Sequence, residues 1–103
     1  MIKFGFASTE LAPLAQDLET RIGVHFEAHE SDFRGGEYFR AETPQGTLFL
    51  QTNYDPVDRE PFEDDWPERK AVLYLDGLDD QAWHPIVERL QAVGDELGAT
   101  CFE

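Results

Sequence analysis

Apolar and polar residues alternate at the start of the chain: Ile2, Phe4 and Phe6 fall on one side, Lys3 and Gly5 on the other. A period of two over Ile2 to Ala7 predicts a strand with one buried face. The period then lengthens. Leu11, Leu14, Leu18 and Ile22 recur at helical spacing, with Gln16, Asp17, Glu19 and Arg21 mostly opposite them, so an amphipathic helix is expected. Ser8 or Thr9 can cap it by accepting from the free N–H groups of its first turn. Gly23 suits the position just past its end.

Alternation returns in "VHFEAH", with Val24, Phe26 and Ala28 inward and His25, Glu27 and His29 outward. "ESDFRGG" reads as a turn, and Glu37 to Glu42 as the returning strand. "TPQG" is a strong turn, with Pro44 pre-set for its second position and Gly46 free to take positive φ. Thr47 to Thr52 and "AVLYLDG" supply two more strands. Local turns between successive strands imply an antiparallel meander.

The last third predicts a second helix from about Asp80 to Leu97. Ile86, Leu90, Val93 and Leu97 form its buried stripe, Trp83 packs at its start, and Asp79 and Asp80 suit a helix N-terminus. "GATCFE" reads as a terminal strand, with either Ala99 and Cys101 or Thr100 and Phe102 inward. Pro13 lies five residues after Ser8, and Pro85 five after Asp80. Proline fits only the first helical turn, so each helix is expected to open with a short turn and restart near its proline. The echo suits two βαβ-like halves flanking a hairpin, although chance would produce it as readily. The expected order is β-α-β-β-β-β-α-β. Two amphipathic helices covering one face of a mainly antiparallel sheet give an α+β two-layer sandwich, broadly ferredoxin-like with extra central strands.

Composition narrows the setting. The 103 residues fit one domain spanning 1–103, and 41% hydrophobic content supplies its core. No apolar run reaches the roughly 20 residues of a membrane span, and the start lacks the pattern of a signal peptide. One cysteine, Cys101, cannot form an internal disulfide, which fits a reducing, cytoplasmic setting. The net charge is −14. That field repels nucleic-acid phosphates and anionic lipid, so neither is expected as a partner, and it attracts basic proteins. The same acids would also serve solubility alone.

Motifs for chemistry are sparse. The chain has no G-x-G-x-x-G, Walker loop, G-x-S-x-G or C-x-x-C. Cys101 reads as a buried, inert thiol. On a strand, His25, Glu27 and His29 would share a face, and imidazole with carboxylate suits zinc. Ligands along one strand outspan a single coordination sphere, however, so a solvated polar face is expected, with no metal and no cofactor. A catalytic carboxylate pair needs one pKa raised by burial or a like charge, and these acids read as exposed. No catalytic residue and no enzyme is expected.

The segment "DPVDREPFEDDWPERK" carries the clearest signal. From Asp55 to Glu68 it holds Asp55, Asp58, Glu60, Glu63, Asp64, Asp65 and Glu68 against Arg59 alone. The spacing is not that of a calcium loop. Pro56, Pro61 and Pro67 stiffen it, and a stiff loop loses less entropy on binding. Phe62 and Trp66 are anchor-type aromatics, with acids around them to steer a basic partner. The expected partner-binding residues are therefore Asp55, Asp58, Glu60, Phe62, Glu63, Asp64, Asp65 and Trp66. The plain alternative is that Phe62 and Trp66 fold back to plug the sandwich.

In size, acidity and α+β layout the chain resembles the immunity proteins of bacterial toxin systems, and the Asp55–Glu68 acids resemble their negatively charged patch. The resemblance implies a small cytosolic, non-enzymatic inhibitor that occludes the active site of a cognate basic toxin. A small regulatory or ligand-binding domain acting as a homodimer is the alternative.

Overall fold

The computed structural model describes residues 2–7, 10–92 and 100–101. The expectations for Ser8, Thr9, Val93, Leu97, Gly98, Ala99 and Phe102, and for the side chains of Thr100 and Cys101, lie outside the described residues. Strand β1 (Ile2–Phe6) is followed by helix α1 (Leu11–Ile22), then by strands β2 (Glu27–Ser31), β3 (Gly36–Thr43), β4 (Gly46–Thr52) and β5 (Ala71–Asp76), then by helix α2 (His84–Ala92) and strand β6 (Thr100–Cys101). The fold is α+β with an antiparallel sheet and two helices.

The sheet order is β2-β3-β4-β5-β1-β6, every neighbouring pair antiparallel. The expected meander is β2 to β5. Because β1 pairs antiparallel with β5, it runs parallel to β2, and β6 likewise runs parallel to β5. The chain thus holds two βαβ segments, β1-α1-β2 and β5-α2-β6, with β3 and β4 between them.

One face of the sheet supplies the core. Ile2, Phe4, Phe6, Leu48, Leu50, Ala71, Leu73 and Leu75 are buried with Leu14, Leu18, Ile22, Trp83, Ile86 and Leu90 of the helical elements. α1 ends as its glycine suggests: Gly23 takes φ 71°, and its N–H donates to the Glu19 carbonyl at 3.0 Å. Pro13 falls in the first turn of α1. The second helical region opens as a 3-10 turn, Asp80–Trp83, and restarts as α2 with Pro85 in its first turn. Asp79 caps the 3-10 turn by accepting from the Gln81 N–H at 3.0 Å.

The β2 region departs from expectation. The ladder starts at Glu27, not Val24. The cause lies in α1, where the Glu19 carboxylate captures the Phe26 N–H at 2.7 Å and withdraws that donor from the sheet. Phe26 is buried and Val24 packs on the core, but Ala28, on the outermost strand, is exposed.

Candidate binding surface

The second sheet face carries Lys3 and Tyr74 in register, then Phe49 beside Tyr74, then Arg40 beside Phe49 and Glu27 beside Arg40. The 53–70 segment covers part of it. Val72 and Gln51, both on this face, are buried at 0% and 2% exposure.

Asn53, just past β4 and 5% exposed, organises that segment. Its side-chain amide donates to the carbonyls of Trp66 and Arg69 at 3.1 and 2.9 Å, and its Oδ1 accepts from the Glu63 N–H at 2.9 Å. Its own N–H donates to Lys70 O, and the Lys70 N–H to Phe6 O, tying the segment's end to β1. Asp55 builds the first turn by accepting from the N–H groups of Val57 and Asp58 at 2.9 and 3.3 Å. Arg59 takes a left-handed φ of 60° within it, and the turn closes with an Asp55–Glu60 bridge. Proline and hydrogen bonds together fix the loop.

The residues expected to bind a partner divide by environment. Asp58, Glu60, Asp64 and Asp65 are exposed, while Asp55, Phe62 and Trp66 are half-buried. Glu63 turns inward. Its carboxylate pairs with Lys3 at 2.9 Å and accepts from the Tyr74 hydroxyl at 3.1 Å, its side chain 13% exposed.

Burial, together with the Glu63 charge and hydrogen bond, raises the Tyr74 pKa well above its ordinary value. A raised folded-state pKa means that the fold holds this proton more tightly than the unfolded chain does. That contribution is complete below about pH 10, the ordinary tyrosine value, and fades as pH rises further. Stability is expected to fall above that pH, and Tyr74→Phe to flatten the fall. Urea midpoints at stepped alkaline pH check this; equal slopes in both proteins would remove Tyr74 as the cause.

Sequence reasoning missed a cavity of about 300 Å³ on this face, lined by Phe33, Arg34, Phe49, Gln51, Phe62, Tyr74 and Asp76. Arg34 ends the 3-10 turn Asp32–Arg34, and its guanidinium lies 3.6 Å from the centre of the Phe49 ring. Its Nη1 donates to Gln51 Oε1 at 2.9 Å. Gly35 holds the turn in place. At φ 82°, a Cβ there would sit 2.4 Å from the Thr52 methyl and 3.0 Å from the Tyr54 carbonyl. The available signal was the pattern "LFL" and "LYL", which sets Phe49 and Tyr74 opposite the aliphatic core positions.

His25, Glu27 and His29 line a separate pocket of about 290 Å³ with Arg40 and Glu42. His25 pairs with Glu19 at 3.2 Å, His29 stacks on Tyr38 at 5.6 Å, and Arg40 pairs with Glu42. Among the described residues no group of three or more His, Cys, Asp or Glu is placed to hold a metal ion, and no helix is long and apolar enough to cross a membrane. Comparison with protein-family models, characterised proteins and solved structures gave no match.

Proposed function

We propose that this chain is a non-enzymatic binding protein, an immunity-type inhibitor that neutralises a cognate basic toxin by laying an acidic surface across its active site. One observation carries the reading: Asp58, Glu60, Asp64 and Asp65 are exposed on a segment whose backbone Asn53 and Glu63 fasten to the sheet. Fixed carboxylates meet a cationic surface without first being ordered, so less of the binding energy is lost to entropy. The net charge of −14 steers a basic partner and repels nucleic acid and anionic membranes. The framework is read as a two-layer sandwich of ferredoxin-like plan with the β3–β4 hairpin inserted, working in the cytoplasm.

The test is capture from native-host lysate, followed by association kinetics with the retained protein. A single basic partner is expected, binding one to one and associating more slowly as salt rises. Changing Asp58, Glu60, Asp64 and Asp65 together to lysine should slow association about 100-fold at low salt while leaving the melting temperature nearly unchanged. Trp66→Ala should cost more affinity than any single acid change, through faster dissociation. A partner without basic character, or an unchanged association rate in the lysine variant, would sink the reading.

A further inference from the structure

We propose that the cavity between Arg34 and Asp76 is a site for a free zwitterionic amino acid with an aromatic or large apolar side chain. The lining is mainly aromatic, from Phe33, Phe49, Phe62 and Tyr74, with one guanidinium and one carboxylate among the polar groups. That is the make-up of a small-ligand site, with apolar walls and a few orienting polar atoms. Its volume of about 300 Å³ lies at the low end for such sites, the size for a single amino acid rather than a nucleotide.

The charges select the ligand. Lys3 is paired with Glu63 and Arg40 with Glu42. Arg34 instead rests on Phe49 and gives one N–H to Gln51, and among the carboxylate side chains that are described none pairs with it. Guanidinium has five N–H donors in a fork that matches a carboxylate, so donors remain for a ligand. Gln51, 2% exposed, and the Phe49 ring hold the fork in place without neutralising it. Asp76 is exposed at the cavity mouth and offers a carboxylate to an ammonium. A simple anion would meet Asp76 and the negative field of the chain, and a simple cation would meet Arg34. A zwitterion satisfies both while its side chain lies among the rings. Phe33, at 89% exposure, is an aromatic at the mouth that such a side chain would cover.

The test is calorimetric titration of the full chain with L-phenylalanine, N-acetyl-phenylalanine and phenylalaninamide, the last two lacking the ammonium and the carboxylate in turn. Saturable binding of phenylalanine is expected, with both analogues at least tenfold weaker. At ten times the dissociation constant, phenylalanine should raise the melting temperature by about 6 °C. Arg34→Met should weaken phenylalanine at least tenfold and remove the preference over phenylalaninamide. Asp76→Asn should do the same toward N-acetyl-phenylalanine. Equal binding of all three ligands, or no binding of phenylalanine up to about 10 mM, roughly ten times the dissociation constant of a weak millimolar site, would overturn the proposal. If a variant fails to fold, the ligand series on the unaltered chain decides alone.

Discussion

Replacing Asn53 with alanine is expected to lower stability by about 3 kcal/mol and to free the acidic segment from the sheet. The side chain makes three hydrogen bonds from a position 5% exposed, and all three go to the backbone of the segment's second half, at Glu63, Trp66 and Arg69. Truncation leaves the Arg69 carbonyl and the Glu63 N–H without their Asn53 partner, while the Trp66 carbonyl keeps its bond from the Arg69 N–H at 3.1 Å. A buried orphan costs about 1–3 kcal/mol, and water can reach the Arg69 carbonyl once the loop relaxes, which sets the total in the lower half of the sum. For a domain of this size the melting temperature should drop by about 15 °C. Asn53→Asp should be at least as damaging, because it keeps the acceptor for Glu63 but loses both donors. Urea denaturation measures the loss, and limited proteolysis should place the first cuts within 55–70. A loss below about 1 kcal/mol would mean that the prolines and the Lys3–Glu63 pair hold the segment without Asn53.

This result bears on what the sequence disclosed. The strands, both helices, Gly23 and the "TPQG" turn were legible because each is a local matter of period and turn chemistry. The restart at Pro85 was legible for the same reason. The start of β2 was not, since it depends on a carboxylate from the preceding helix reaching the Phe26 N–H. The acidic segment was legible as charge and stiffness, yet not as architecture. Nothing local in "TNYD" marks Asn53 as the group that closes the loop, because its partners lie 10 to 16 residues ahead. Glu63 looked like its acidic neighbours, and only the tertiary approach of Lys3, 60 residues away, turns it inward. Arg34 was hidden in an apparent turn, and its role comes from Phe49, a residue of another strand.

Trp83→Ala is expected to cost about 4 kcal/mol, within the usual range for deleting a buried aromatic. That is a large share of the roughly 5–15 kcal/mol that holds a domain together. Trp83 is 0% exposed and is the largest of the fully buried side chains. Its ring lies against both turns at its end of the sheet: a Cβ on Gly46 would fall 2.9 Å from its Cζ2, and one on Gly77 3.1 Å from its Nε1. Removing the ring unsupports the β3–β4 turn, and β4 carries Phe49 and Gln51 toward the cavity and leads into Asn53. Trp83→Phe separates two contributions. The indole Nε1 is buried with no hydrogen-bond partner among the described residues, so phenylalanine loses packing area but also removes an orphan donor costing about 1–3 kcal/mol. The two effects oppose, and Trp83→Phe should stay within about 1.5 kcal/mol of the parent, as read from urea midpoints. If it proves as costly as Trp83→Ala, the indole N–H is satisfied in solution and the full width of the ring, rather than an aromatic of any size, is what supports the turn beneath the binding face.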